Sequence, residues 1–148
     1  EVAIAMALGG LIGFEREMAD RPAGLRTHLL VAGAAALMVG LGDSLLSGFL
    51  SHRPHELIRS DPIRVIQAIV IGIGFLGTGT IFRDSGGHVE GLTTAASLLL
   101  TAGIGIAVAM RQFILALGVT MFTVLVLHTL KLHTLKWLEQ RLKRKHSR

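Results

Sequence analysis

The 148-residue chain is 51% hydrophobic and only 17% charged, with a mean hydropathy of +0.59; soluble domains carry about 25% charged residues, so the balance points to a single polytopic membrane domain rather than a soluble fold. The absence of cysteine excludes disulfides, thiol nucleophiles and thiolate metal sites together. The net charge of +5 would suit nucleic acid, but seven of the fifteen basic residues crowd into the last eighteen positions beside an apolar run, which suits anionic lipid headgroups instead.

Val2 to Phe14 is an apolar run with Ala5, Gly9 and Gly13 four apart, hence on one helix face. It is short for a span, and the chain opens on Glu1, so a clipped first helix is expected. The start of this sequence does not read as a signal peptide, with no basic leader and no clear cleavage site before a polar mature domain. Glu15, Arg16, Glu17, Asp20 and Arg21 close the run, and Pro22-Ala23-Gly24 makes a turn. Leu25 to His28 leads into a second span, Leu29 to Leu50. Along it Ala32, Ala36, Gly40, Ser44 and Gly48 form a small-residue stripe of the kind that lines helix contacts in lipid, with Asp43 beside it.

Ser51 to Pro62 reads as a polar connection broken by Pro54 and Pro62. The third span is expected over Arg64 to Arg83. As one helix it would hold its two arginines roughly 28 Å apart, close to the thickness of a hydrocarbon core. Its middle, Gly72-Ile73-Gly74-Phe75-Leu76-Gly77-Thr78-Gly79, is dense in glycine, and each glycine costs about 1 kcal/mol against alanine in a helix in water. Close packing against neighbouring helices is the expected reason, with Gly72, Gly74, Gly77 and Gly79 at the packing centre of the bundle. An unwound helix lining a permeation path is the alternative. A phosphate loop is not, since no strand precedes the run and no Gly-Lys-Ser/Thr follows. Gln67, a polar residue at membrane depth, is expected to bond across to another helix.

Asp84 to Gly91 reads as a tight loop. A fourth span follows over Leu92 to Met110, with Thr93 and Thr94 near its start and a second small stripe at Ser97, Thr101, Gly105 and Ala109. Arg111-Gln112 is so short a link that the fifth span, Phe113 to about Leu130, must run antiparallel to the fourth. Its lower glycine content predicts a lipid-facing helix. Lys131 to Arg148 is a basic tail in which Leu135, Leu138 and Leu142 share a face and Trp137 is an interfacial anchor.

The expected fold is therefore all-α, with a five-helix transmembrane domain over 1–130 and a basic amphipathic tail over 131–148. The loops after spans one and three share a side with the tail and hold Arg16, Arg21, Arg26, Arg83 and the seven basic tail residues. The other side holds Arg53, Arg59, Arg64 and Arg111. Eleven against four puts the tail in the cytoplasm and the N-terminus outside.

That topology brings two charged segments to one face, and the candidate functional cluster is Glu15, Arg16, Glu17, Arg21, Arg26, Arg83 and Asp84. The bland reading of such arginines is that they fix topology. Glu15 and Arg83, nearest the membrane, lean towards function, because a charge at bilayer depth is costly unless paired. Asp43, Asp84 and Glu15 offer oxygens to Mg²⁺, but no spacing here is diagnostic of a metal. His128 and His133 are five apart, off the spacing that would align two ligands on a helix. No nucleophile–base–acid arrangement is recognisable, so neither an enzyme nor a cofactor is expected.

Three segments resemble the MgtC/SapB family of bacterial inner-membrane proteins. They are Gly10-Leu11-Ile12-Gly13-Phe14-Glu15-Arg16-Glu17 with Arg21-Pro22-Ala23-Gly24-Leu25-Arg26-Thr27-His28; Asp61-Pro62, Arg64 and Gln67 with Gly72 to Ile81; and Val89-Glu90-Gly91-Leu92-Thr93-Thr94-Ala95-Ala96-Ser97-Leu98. In order and together, they cover most of residues 9 to 105. The resemblance implies five transmembrane helices and a cytoplasmic C-terminus. It also implies a link to magnesium limitation, acid or phagosomal stress and intramacrophage survival. Its best-known members act by binding other membrane proteins, the ATP synthase among them. Better-known virulence members carry a further soluble C-terminal domain where this chain has a basic tail. Some have a cysteine in the fourth span, which here reads Leu98-Leu99-Leu100-Thr101. Two functions follow as expectations: a regulatory membrane protein working through helix and loop contacts, or a small transporter or channel for Mg²⁺ or another ion. A homodimer is a further expectation, from small-residue faces in excess of what five helices must bury.

Overall fold

A computed structural model describes the backbone of residues 1–52, 62–83 and 86–146, with side chains over 1–45, 63–83 and 86–129. The described chain is mostly helical: α1 (Val2–Met18), α2 (Leu25–His52), α3 (Pro62–Gly79), α4 (Leu92–Ala109) and α5 (Phe113–His146). Between α3 and α4 lies a two-stranded hairpin, β1 (Phe82–Arg83) and β2 (Val89–Glu90), antiparallel with Phe82 opposite Glu90 and Arg83 opposite Val89. Residues 53–61 (most of the expected connection after α2) and Asp84 lie outside the described residues, as do the tail side chains of Leu135, Trp137, Leu138 and Leu142.

Among the described residues, two helices are long and apolar enough to cross a membrane, over Leu25–Leu45 and Leu92–Ala109, while Ile63–Gly79 and Phe113–Thr129 are apolar but shorter. Three boundaries differ from expectation. α1 runs on through Glu15, Arg16 and Glu17, because the first two are buried and so belong to the packed helix. α2 begins at Leu25, making Leu25 to His28 its first turn. α3 stops at Gly79, so Arg83 sits on a strand and not at the end of a helix that starts beside Arg64. The stop is local chemistry. The last turn tightens into three-residue hydrogen bonds from Thr80 to Gly77 and from Ile81 to Thr78, while the Thr80 hydroxyl also donates to the Gly77 carbonyl. The 110–112 link turns through Arg111 at φ +59°, giving the antiparallel α4–α5 pair.

The centre of the bundle is α1, α2 and α4. α1 and α2 share the most extensive contact, α4 lies against both, and α3 and α5 flank them. The buried apolar residues there are largely small or branched: Ala5, Ile12, Ala32, Ala36, Ile104 and Val108 in one cluster, and Val31, Ala35, Leu98 and Ala102 in another. All three stripes read from the sequence enter this seam in part: Ala5, Gly9 and Gly13; Ala32 and Ala36; Ser97, Thr101 and Gly105.

Glycine is required where backbones meet. A side-chain carbon on Gly13 would come within 2.7 Å of the Leu25 Cα, and one on Gly9 within 2.7 Å of the His28 carbonyl. One on Gly105 would drive into the Ala32 carbonyl. The expectation that the α3 glycines form the packing centre is corrected by the same measure. Gly72, Gly74 and Gly79 face open space among the described residues, and only Gly77 meets a neighbour, Ala95 of α4. α3 is a flanking helix, so a glycine-dense stretch there is not in the seam.

The outside of the bundle is apolar, and hydroxyls and an imidazole are buried among the apolar residues inside. Ile114, Phe75, Ile71 and Phe122 are 91%, 82%, 74% and 67% exposed, whereas Thr94, Ser97, Thr101, Thr120 and His28 are buried. Hydroxyls of Thr101, Thr120 and Thr123 donate to carbonyls of their own helices, satisfying themselves locally. On the fifth helix Leu115, Leu117, Met121 and Leu125 are exposed.

Candidate functional site

The α1–α2 turn gathers the buried charge and the buried imidazole at one end of the bundle. Glu15 and Arg16 are adjacent on α1, and neighbouring helix positions do not normally face each other. Here the guanidinium reaches back to one carboxylate oxygen, Nε at 2.7 Å and Nη2 at 2.6 Å from Oε2, with both side chains about nine-tenths buried. The pairing neutralises two charges that would each be costly alone away from water.

Glu17, one position on, does a different job. Its Oε2 accepts the Leu25 N–H at 2.8 Å, so α1 supplies a cap for one of the free donors at the start of α2. Glu17→Ala is expected to lower stability by about 1 kcal/mol, the usual worth of a helix cap, measurable as a fall in the detergent-solubilised unfolding midpoint.

His28 lies one turn into α2 and is fully buried. Its Nδ1 is 3.1 Å from the Gly24 carbonyl and its Nε2 is 3.1 Å from the Ser97 hydroxyl, a contact from α2 to α4. The Ser97 Oγ also stands 2.8 Å from the Thr94 carbonyl in its own helix. Arg16 is the charged group that faces the ring from α1. Sequence reasoning did not single out His28 or assign Ser97 more than a place in a stripe. The available signal was a polar ring at the head of a long apolar run, where it has to find partners inside the protein.

The remaining candidates are dispersed. Arg21, Arg26 and Arg83 are exposed, and Arg83 makes no ion pair with Glu15 among the described residues. Asp43 sits eighteen residues along α2 from Leu25, about 27 Å at helical rise, so it cannot share a metal with Glu15. No group of three metal-ligating side chains occurs among the described residues. Gln67 is exposed and makes no bond to another helix among them, which corrects the expected cross-helix contact. Thr93 is exposed and Thr94 buried.

At the opposite end of the bundle, Asp43 and Ser44 line a cavity of about 650 Å³ with Val39, Val65, Ile66 and Met110. Its rim carries an ion pair between Arg111 Nε and the Glu1 carboxylate at 3.1 Å.

The MgtC family model matches residues 2–135. Protein MgtC of Brucella abortus (strain 2308) is 50% identical over 102 residues, covering 69% of this chain and 38% of that protein. Protein MgtC of Salmonella typhimurium (strain 14028s) is 45% identical over 116 residues, 78% of this chain and 45% of that protein. An uncharacterized protein of Haemophilus influenzae is 33% identical over 147 residues, 98% of this chain and 60% of that one. The chain thus spans less than two thirds of the length of these relatives, and no solved structure matches it. Matched by the family model over nearly its whole length and half identical to a protein of that name over two thirds of it, the chain belongs to the MgtC family.

Proposed function

We propose that this protein is a non-enzymatic, multi-pass protein of the bacterial inner membrane that binds and modulates other membrane proteins during magnesium limitation and stress, as in virulence. In this reading all five helices span, the N-terminus is outside, and the C-terminal tail sits on anionic headgroups in the cytoplasm. The 17 residues of α1 give about 25 Å of helix, within reach of a bilayer that thins locally.

The observation that carries the reading is the outer face of α3. Ile71 and Phe75 project from it largely exposed, with Gly72, Gly74 and Gly79 open beside them. Lipid tails have no use for glycine, but another helix can approach closely over it. A free face of this kind suits a partner helix better than lipid. The ATP synthase is one such partner to test.

Two measurements separate this from ion transport. Protein purified from magnesium-starved cells should retain another integral membrane protein, and purified protein in liposomes should leave Mg²⁺, H⁺ and K⁺ flux unchanged. Recovery of self-associated chain only, or an ion flux above that of empty liposomes, would contradict the reading.

A further inference from the structure

Hydrogen counting at the α2–α4 contact gives a result that hydrogen-bond distances alone conceal. The Gly24 carbonyl can only accept, so its contact with His28 Nδ1 is a hydrogen bond only when that nitrogen is protonated; the same carbonyl also accepts the His28 N–H at 3.2 Å. A neutral ring protonated at Nδ1 has a bare Nε2, which must accept from the Ser97 hydroxyl. That hydroxyl has one hydrogen, and the Thr94 carbonyl at 2.8 Å needs it as well. With a neutral imidazole, only two of the three close contacts can be hydrogen bonds. With a doubly protonated ring, Nε2–H donates to Oγ, the hydroxyl turns to Thr94, and all three form.

We propose that His28 and Ser97 form a proton-dependent latch between α2 and α4, complete when the imidazole carries both protons and one hydrogen bond short when it does not. The surroundings allow this change of charge to be felt. From α1 the ring faces Arg16, which is ion-paired with Glu15. The Glu17 carboxylate is tied to the Leu25 N–H, next to Gly24. From α4 it meets Ser97, beside Thr94 and Thr101, none of which titrates. On α2 itself, Arg26 is exposed. His28 is thus the group in this seam that can take up a proton on acidification. It lies one turn from the α1–α2 loop. The side of the membrane that it samples rests on the topology proposed above; the latch itself does not.

The test uses the full chain in nanodiscs, with ring-¹⁵N histidine and His28→Gln to assign the signal among seven histidines. On acidification from about pH 8, the His28 ring should pass from one protonated nitrogen to two. Amide-exchange protection across 28–36 and 94–101, corrected for intrinsic rate, should rise in step. In Ser97→Ala the rise in protection should vanish and the His28 midpoint should shift. A ring that keeps one protonation state throughout overturns the latch. So does a ring that titrates with protection unchanged, or an identical titration in Ser97→Ala. The wild-type titration stands alone if the variant does not fold.

Discussion

Gly105→Val should destabilise the protein by about 3 kcal/mol, the upper end of the usual cost of overpacking a tight core. Gly74→Val on the flanking helix should change stability little. The two substitutions add the same atoms to helices of similar length, so their difference isolates position. At Gly105 the new side chain meets the Ala32 carbonyl and the Ala35 side chain, and a backbone carbonyl in the middle of a helix cannot rotate away. At Gly74 nothing lies within 4 Å among the described residues. A detergent-solubilised thermal or denaturant unfolding series on both variants reads the contrast directly. Equal losses would mean that α3, not the α1–α2–α4 seam, organises the bundle.

That contrast also shows what could be read from the residues alone. Spacing marked the small-residue faces of α1, α2 and α4, because a residue four positions on returns to the same side of a helix. Spacing could not rank them against the denser glycines of α3. Gly72 to Gly79 is richer in glycine than any of the true contact faces, yet glycine is equally suited to touching a neighbour and to leaving room for one. Only the location of the other helices distinguishes the two. The end of α3 was hidden for a related reason: apolarity continues through Ile81 and Phe82, while the helix stops at Gly79 in a turn set by Thr80. The candidate cluster was expected as a set of charges on one topological face. It was not legible as partners, since Glu15 chose its own neighbour Arg16 over the distant Arg83.

Removing one member of that buried pair carries the second large effect. Glu15→Ala leaves the Arg16 guanidinium buried without its counter-charge, a situation that typically costs about 3–5 kcal/mol. Replacing both residues with leucine should be far milder, because well-packed apolar pairs often match or exceed a buried ion pair in stability. Glu15→Gln should fall between them, keeping an acceptor but not the charge. A double-mutant cycle in detergent, scored by unfolding midpoint, gives the coupling between the two side chains. If Glu15→Ala is silent, the pair is reached by water and is not buried as described. If the double leucine variant keeps the fold but loses the cellular phenotype, the pair is needed for function rather than for stability.

The latch and the ion pair sit at the same end of the bundle, on either side of the α1–α2 turn, with Arg16 facing both Glu15 and His28. The outer face of α3 is separate from them. A partner helix seated on Phe75 would meet the bundle through α3, which packs on α4 and, less extensively, on α2; these two helices carry Ser97 and His28.

On the proposed function, this open face of α3 receives another membrane protein. A photoactivatable residue at Phe75, with a control at the buried Ile104, tests it in magnesium-starved cells expressing the full chain. Phe75 should form an adduct with a second integral membrane protein and Ile104 should form none beyond its own chain. Adducts from Phe75 with lipid or with copies of this chain alone would contradict the account.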